Sequence, residues 1–322
     1  MFIYYILNMY ALFEIAWCKT VSENPVNLFE NITIGKTFHT DEDIMRMIIY
    51  PKIVNGEEAK LGDLPYQVAF KFPMGYSMIT FGTFCGGSII KIDVVLSAAH
   101  CFVTDTLPFL APCIGRVDQR KAREAYAVAG QLANFASFSQ DSDVTGQWRK
   151  LGPIIYPKYY RMPTDDIAVV HLRKPFFFNQ NVQPILMAQK YTDYGGLQCL
   201  ASGFGNIALS VPSTYLKKGY LEVLPKRTCD KMFMIDTQNL VCATDRIANV
   251  LQGDSGGPLV CPDMDNGNKT TLIGIVSAGL IGTGSLFTRV SAYKDFIAES
   301  EARYLSINLV SLLASALTPL LL

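Results

Sequence analysis

From residue 53 onward, the chain is divided into short runs of β-branched and aromatic residues that glycine, proline and asparagine separate. Such runs occupy residues 66–72, 88–97, 167–172 and 272–277. Runs of this length and composition predict β-strands, and many short strands without alternating helices predict an all-β sandwich or barrel. One helical pattern, at residues 292–303, is expected to close this region.

The composition supports a folded protein and excludes several classes of function. The 322 residues include 28 basic and 28 acidic side chains, so the formal net charge is zero and no nucleic-acid partner is expected. Hydrophobic residues make up 50% of the chain and charged residues 17%, which excludes disorder, collagen and a coiled coil.

The two N-terminal segments differ in residue composition from the strand-rich region. Residues 1–18 are mostly apolar and shorter than the ~20 residues of a membrane span, so we interpret them as a secretory signal peptide rather than a retained anchor. Residues 19–52 are polar and without sustained periodicity, which is typical of a prosegment. Glycosylation sequons at Asn31 and Asn268 agree with a secreted, extracellular protein.

The C-terminal segment, residues 305–322, is hydrophobic and carries no charge. Three interpretations of this tail remain open. It follows small residues at 300–302 and so loosely matches a lipid-anchor signal; it could form a tail-anchored span with Pro319 near its end; or it packs on the domain as an extension. The first two would attach the protein to a membrane.

Residues 252–259, Gln-Gly-Asp-Ser-Gly-Gly-Pro-Leu, predict a small-residue turn that exposes the hydroxyl of Ser255 beside free backbone N–H groups. Serine is a poor nucleophile unless a base removes its proton, so a histidine is needed. The G-x-S-x-G elbow of α/β-hydrolases requires a histidine after the serine, and none follows Ser255. The base is therefore expected upstream.

His100 is the best candidate for this base. It follows an apolar run and precedes Cys101, for which Cys85 is the natural disulfide partner on a neighbouring strand. The other histidines have structural interpretations, because His39 lies in the prosegment and His171 lies within a predicted strand.

Asp166 is the candidate for the carboxylate that orients the imidazole. It opens the buried-strand pattern 166–172, where an acidic group survives only if it is hydrogen-bonded. Its neighbour Asp165 is interpreted as an exposed turn residue.

Four segments then resemble the chymotrypsin/trypsin family of serine endopeptidases, with His100, Asp166 and Ser255 in the family's chain order. They are residues 53–56, 98–101, 166–168 and 253–258. The resemblance covers residues 53–303, most of the chain. It implies an all-β fold of two packed six-stranded antiparallel β-barrels with a C-terminal helix, and a protease domain at residues 53–304 with the triad at the barrel junction.

The resemblance also implies roles for residues around the triad. The backbone N–H groups of Gly253 and Ser255 would form the oxyanion hole. Ser277 would lie beside Asp166, and residues from Ser277 to Gly279 would pair with the substrate backbone as an added strand. The family is expected to cleave polypeptide substrates and to meet protein protease inhibitors.

Activation is implied in the same way. Cleavage after Lys52 would release the α-ammonium group of Ile53, which would pair with the carboxylate of Asp254 and order the oxyanion loop. The chain is therefore expected to be made as a zymogen that is nearly inactive before cleavage.

The family pattern pairs six of the eight cysteines, as Cys85–Cys101, Cys199–Cys261 and Cys229–Cys242. Cys18 and Cys113 remain, and two alternatives stay open for them. They tether the prosegment to the enzyme, or Cys113 is free or intermolecular.

Departures from the family concern the specificity pocket. The fourth family disulfide is missing at both ends, because Leu251 occupies the first position and no cysteine follows Cys261. Ala278 replaces the usual tryptophan, and Asn249 stands where trypsin-like members carry aspartate. A buried cation there would be unpaired, so cleavage after uncharged side chains is expected. Ser285 would narrow the specificity pocket opposite Asn249. The alternative is that the side chain of Asp245 extends into this pocket.

A neutral pocket would not accept Lys52, so activation is expected to need a separate trypsin-like protease. The alternative from another class is a pseudoprotease that acts as a secreted binding or regulatory module, which the lost disulfide and tryptophan favour and the intact triad opposes. No metal or cofactor motif appears in the sequence, and the spacing of Asp263 and Asp265 gives no support for calcium.

Overall fold

The structure is a computed structural model, which describes residues 56–75, 79–104, 116–142, 146–158, 160, 162–208, 211–244, 250, 253–263, 267, 269–280 and 283–304. The predicted signal peptide, prosegment and tail lie outside these residues, as do Lys52, Ile53, Asn249 and Cys113. Two compact units divide the chain, one formed by Met1–Tyr50 and Val103–Val117 and the other by Pro51–Phe102 and Asp118–Leu322. In the first unit, Val103–Thr104 pairs antiparallel with Arg116–Val117.

The described elements are mostly short strands. In chain order they are β1 (Glu57–Glu58), β2 (Gln67–Met74), β3 (Thr80–Lys91), β4 (Val94–Ser97), β5 (Val103–Thr104), β6 (Arg116–Val117), α1 (Gln119–Glu124), β7 (Tyr126–Ala129), β8 (Ala136–Ser137), β9 (Gln147–Ile155), β10 (Ala168–Leu172), β11 (Leu186–Met187), β12 (Gln198–Gly203), β13 (Asn206–Ala208), β14 (Val211–Pro212), β15 (Lys217–Glu222), α2 (Lys226–Phe233), β16 (Leu240–Ala243), β17 (Pro258–Asp263), β18 (Lys269–Leu280), β19 (Gly284–Arg289) and α3 (residues 294–304). Two 3₁₀ turns, Ala99–Cys101 and Val290–Tyr293, precede β5 and α3.

The first sheet closes on itself. Its strands follow the order β2-β7-β9-β10-β4-β3, and β3 pairs again with β2, so six antiparallel strands form a barrel with β8 attached to β3. A closed barrel leaves no unpaired edge among these six strands.

The second sheet follows the order β1-β15-β12-β17-β18-β19-β16, and β11 joins β18 in parallel. A bridge between Val223 and Ala243 connects the ends of β15 and β16. Two backbone hydrogen bonds flank it, from Leu224 N to Cys242 O at 2.9 Å and from Thr244 N to Glu222 O at 3.0 Å. This short contact closes a second ring of six strands, so the predicted two-barrel fold is confirmed.

Hydrophobic side chains fill both barrels. One cluster of buried residues includes Phe70 and Leu96 of the first barrel, Leu272 and Ile275 of β18, and Ile297 of α3. A separate cluster fills the second barrel. Each fully buried side chain of this size contributes about 1.5–3 kcal/mol. The first cluster therefore fastens the C-terminal helix to the same core as the barrel strands.

The elements differ in detail from the sequence expectations. The run at 88–97 belongs to two strands, β3 and β4, because polar Lys91 and Asp93 flank a turn between them. The C-terminal helix is confirmed, but α1 and α2 were not predicted. At α1, Asp118 Oδ1 accepts hydrogen bonds from Arg120 N and Lys121 N at 2.9 and 3.1 Å, which is a typical N-cap.

Among the described residues, three disulfides join a strand to a 3₁₀ turn, one strand to another, and helix α2 to a strand. They are Cys85–Cys101, Cys199–Cys261 and Cys229–Cys242, with Cα–Cα distances of 6.2, 4.7 and 6.0 Å. These are the pairs that the resemblance implied. Over the part of the chain that the structure describes, no helix is both long enough and apolar enough to cross a membrane.

Candidate active site

His100 and Asp166 meet because their strands are neighbours. The antiparallel register of β4 and β10 puts Ser97 opposite Ala168, so the residues just beyond these strand ends come together. Asp166 Oδ2 lies 2.7 Å from His100 Nδ1, and Asp166 Oδ1 accepts the backbone N–H of His100 at 2.9 Å. The carboxylate side chain is fully buried, whereas 23% of the imidazole is exposed. The acid therefore orients a ring whose other side remains accessible.

Two further hydroxyl groups fix Asp166. Ser277 Oγ donates to Asp166 Oδ2 at 2.6 Å, and Thr288 Oγ1 donates to the backbone carbonyl of Asp166 at 2.7 Å. A buried carboxylate is costly unless hydrogen bonds replace its water, and here Ser277 Oγ and the backbone N–H of His100 supply them, while Thr288 fixes the backbone. Ser277 was expected beside Asp166, whereas Thr288, which comes from a distant strand and contacts only the backbone, was not.

The turn that carries Ser255 is held between the two barrels. Gly86 N donates to Ser255 O at 2.7 Å, and Gly256 N donates to Val276 O at 2.8 Å. Gly256 has a φ of +77°, and a Cβ atom there would lie 2.2 Å from Ser97 Oγ and 3.1 Å from Ala98 N. Only glycine fits this close approach. The turn that carries Ser255 therefore packs directly on the residues that precede His100.

The structure thus brings Ser255 to the segment that carries His100. Both residues lie in the described part of the chain, where the imidazole and the serine hydroxyl form no hydrogen bond with each other. Catalytic hydrogen bonds are often long in structures without substrate and tighten when substrate binds.

Two backbone donors beside Ser255 are available. Among the described residues, the N–H groups of Gly253 and Ser255 donate to no protein acceptor. Gly253 has a φ of +103°, and a Cβ atom there would lie 2.9 Å from the Cα of Gly205. Glycine is therefore required at this position, and the two N–H groups are free to bind an anionic oxygen.

The side chain of Asp254 points away from solvent and packs against glycine residues. Its side chain is buried, and Oδ1 accepts the backbone N–H of Gly205 at 2.7 Å. Cβ atoms at Gly203 and Gly205 would lie 2.1 and 2.4 Å from its carboxylate oxygens. Asp254 was a candidate from the sequence, but Gly203 and Gly205, which pack against its carboxylate, were not.

The proposed substrate-binding residues are partly brought together. Gly279 is exposed and pairs across β18 and β19 with buried Ser285, which also lies opposite Ala243. β17 pairs with β18 only from Lys269 to Ile275, so residues 277–279 face no described strand on that edge. This free edge could accept an extended peptide. Asn249 lies outside the described residues.

One half-buried cation adjoins the site and was missed from the sequence. Lys121 Nζ donates to Cys101 O at 2.7 Å and lies 5.0 Å from the centre of the Phe84 ring. Burial lowers the pKa of Lys121. Its position follows from the N-cap of α1, and the pattern Asp118-x-x-Lys121 is the signal that could have found it.

Metal chemistry has no support in this site. Cys85, His100 and Cys101 form the group of potential metal ligands in the described ranges. The two cysteine sulfurs are bonded to each other, so neither is a thiolate ligand.

Two six-stranded barrels with a buried aspartate–histidine pair beside a glycine-rich serine turn define the class of chymotrypsin-like serine protease folds. Residues 53–297 match the family described as Trypsin, and the chain belongs to this family.

Individual relatives agree with this assignment. Trypsin II-P29 of Gallus gallus is 32% identical over 265 residues, which cover 79% of this chain and 90% of that protein. Ovochymase of Halocynthia roretzi is 32% identical over 264 residues, which cover 78% of this chain but 16% of that protein. Transmembrane protease serine 9 of Rattus norvegicus is 30% identical over 260 residues, or 77% of this chain and 22% of that protein. The chain spans less than a quarter of the length of these last two relatives.

Proposed function

We propose that this protein is a serine endopeptidase that hydrolyses peptide bonds through an acyl-enzyme, with His100, Asp166 and Ser255 as its catalytic triad. The observation that carries this proposal is the pairing of buried Asp166 with the Nδ1 atom and the backbone N–H of His100, at 2.7 and 2.9 Å. This arrangement leaves the Nε2 atom of the ring to act as a base on the side of Ser255.

In the proposed mechanism, His100 Nε2 takes the proton of Ser255 Oγ as this oxygen attacks the scissile carbonyl carbon. Asp166 holds the Nδ1–H tautomer and stabilises the imidazolium ion that forms. The N–H groups of Gly253 and Ser255 donate to the developing oxyanion. The imidazolium then protonates the leaving amine, and water, activated by the same ring, hydrolyses the acyl-serine ester.

We propose further that the protein is made as a zymogen, with a signal peptide at 1–18 and a prosegment at 19–52. Cleavage after Lys52 releases the amino group of Ile53, which pairs with Asp254. The family match begins at residue 53, and the buried carboxylate of Asp254 is the kind of group that a new ammonium group stabilises. An α-amino group titrates near pH ~8, so activity is expected to fall in alkaline solution.

The proposed substrates are polypeptides cleaved after uncharged side chains. Asn249 and Ser285 would line the specificity pocket, with Ser277 and Gly279 supplying the strand that pairs with substrate. The supporting observation is that buried Ser285 pairs with Gly279 across β18 and β19, so a small polar residue lies on the strand next to the proposed substrate-pairing residues. Profiling the activated protein with a peptide library tests this, and a strong preference for arginine or lysine contradicts it. A neutral pocket leaves activation to a separate trypsin-like protease.

We propose that the protein is secreted and glycosylated, and that residues 305–322 decide whether it is attached to a membrane. Protein protease inhibitors are its further expected partners, because they bind as substrates do. Mass spectrometry of the mature termini and of the peptides that contain Asn31 and Asn268 tests these points. An intact residue 1 or unmodified asparagines would contradict the corresponding proposal.

Labelling with a fluorophosphonate tests the enzyme proposal, because only a serine with an assembled base and oxyanion hole reacts rapidly. We expect labelling after cleavage at Lys52, little labelling of uncleaved protein, and none of the Ser255→Ala variant. A Lys52→Gln variant, which resists the activating protease, is the matched control. Correctly cleaved protein that takes no label would contradict the proposal and indicate the pseudoprotease alternative.

A further inference from the structure

Lys71 on β2 is a buried lysine that the proposed mechanism does not use. Its side chain is 0% exposed. Its Nζ atom donates to Ala133 O at 2.7 Å, to Thr83 Oγ1 at 3.3 Å and to Asn134 O. No carboxylate in the described ranges forms an ion pair with it. A buried charge without a counter-ion is costly, so the fold keeps this group at the expense of stability.

Three oxygen atoms lie within hydrogen-bond distance of Lys71 Nζ, and two of them, Ala133 O and Asn134 O, are carbonyl oxygens that can only accept. A lysine side chain has at least two N–H donors in either protonation state, so it can satisfy both carbonyls. The Nζ atom also lies 5.5 Å from the centre of the Phe204 ring, where a cation is favoured.

The acceptors of Lys71 belong to a segment that contacts the second barrel. Asn134 Nδ2 donates to Phe204 O at 3.3 Å and to Ser213 O at 2.6 Å. Asn134 N donates to Thr214 O at 2.9 Å, and Ala133 forms a bridge with Tyr215. The lysine therefore fixes the segment through which the first barrel contacts Phe204.

Phe204 directly precedes Gly205, whose backbone N–H is hydrogen-bonded to the turn that carries Ser255. Gly205 N donates to Asp254 Oδ1 at 2.7 Å, and Asp254 lies between Gly253 and Ser255. A continuous series of contacts thus runs from Lys71 through Asn134 and Phe204 to the two oxyanion donors.

We propose that Lys71 is a positioning residue, whose Nζ–H donors hold residues 133–134 against Phe204 and so keep Gly205, Asp254 and the oxyanion donors in place. The catalytic part of this inference rests on the proposed function. The structural part is that Lys71 keeps the hydrogen bond from Gly205 N to Asp254 Oδ1 in place, and this part does not depend on the proposed function.

The test compares Lys71→Met and Lys71→Gln with Lys150→Met, each expressed as the whole chain and then cleaved after Lys52. Lys150 is a matched control, because its Nζ atom also donates to two backbone carbonyls, of Arg123 and Glu124, and lies 3.8 Å from the centre of the Tyr126 ring. It belongs to the same barrel but makes no contact in the series that leads to Asp254.

We expect kcat to fall about 10- to 100-fold in Lys71→Met with KM changed less than about threefold, because small displacements of catalytic groups have effects of this size. Lys71→Gln, which keeps two N–H donors, should show a smaller loss, and it carries the test if Lys71→Met does not fold. Lys150→Met should stay within about twofold of the wild type. Unchanged kcat in both Lys71 variants would overturn the catalytic part.

Amide hydrogen exchange at Gly205, followed by NMR, separates this inference from the proposed function. We expect exchange at least about tenfold faster in Lys71→Met than in the wild type or Lys150→Met, whether or not the protein hydrolyses peptides. If the wild type is inactive but this difference is present, the positioning role stands and the proposed function fails. Equal protection of Gly205 in the three proteins would overturn the positioning role.

Discussion

Replacing Lys71 with methionine is expected to change how the stability of the protein depends on pH. Burial lowers the pKa of Lys71 from 10.5 to about 7. Between these pH values the unfolded chain carries a proton on this lysine that the folded protein lacks. Unfolding therefore takes up a proton, and the free energy of unfolding of the wild type rises with pH across this window.

The size of the effect follows from the same shift. One unit of pKa difference corresponds to about 1.4 kcal/mol. The free energy of unfolding of the wild type should therefore rise by about 2–3 kcal/mol from pH 7.5 to pH 9.5, relative to that of Lys71→Met. Below pH 7 the lysine is protonated in both states, and the difference between the two proteins should become constant.

Urea unfolding at pH 7.5, 8.5 and 9.5, followed by tryptophan fluorescence, measures this difference. Lys218→Met is the control. Lys218 Nζ lies 2.7 Å from Asp63 Oδ2 and 3.2 Å from Glu57 Oε1, and the hydrogen bond to Asp63 raises its pKa above 10.5. Lys218 is protonated in both the folded and the unfolded protein over this pH range. The free energies of unfolding of Lys218→Met and the wild type should therefore change with pH in parallel. If the Lys71→Met and wild-type free energies of unfolding change in parallel, burial does not lower the pKa of Lys71 and the reasoning is wrong.

Three other substitutions test the site and its support. Asp166→Asn should lower kcat by about 10⁴ because it favours the wrong tautomer of His100, and steady-state kinetics showing less than a tenfold loss would contradict this. Gly205→Ala should slow fluorophosphonate labelling at least about tenfold, because its Cβ atom would lie 2.4 Å from the Asp254 carboxylate; an unchanged labelling rate would be the opposite result. Arg289→Met removes donors to three backbone carbonyls and should cost about 2–4 kcal/mol in urea unfolding, whereas a cost below about 0.5 kcal/mol would show that these bonds matter little.

Sequence reasoning located the aspartate–histidine pair because local motifs carry it. The glycine-rich turn identifies Ser255, the order of the histidines along the chain points to His100, and an acid opening a buried strand identifies Asp166. The strands and α3 followed from short hydrophobic runs and helical periodicity. Each of these signals is contained within a few neighbouring residues.

Features that depend on distant contacts were not predictable. Alternation along β2 gave no sign that Lys71 is buried, because its outer side is covered by residues 133–134 and Phe204, which lie far along the chain. Thr288 reaches the Asp166 backbone from β19, and closure of the second barrel depends on the bridge between Val223 and Ala243. No local pattern encodes such pairings, because tertiary packing decides them.

The central claim is that Asp166 and His100 activate Ser255 for acyl transfer. Its most direct test is intact-protein and peptide mass spectrometry after cleaved protein is mixed with a reactive ester of an uncharged amino acid and quenched in acid. The account predicts one acyl group per molecule, located on Ser255 and lost again at neutral pH, and no acyl group in His100→Ala. An acyl group on another residue, or none on Ser255 while the protein is folded and correctly cleaved, would contradict it.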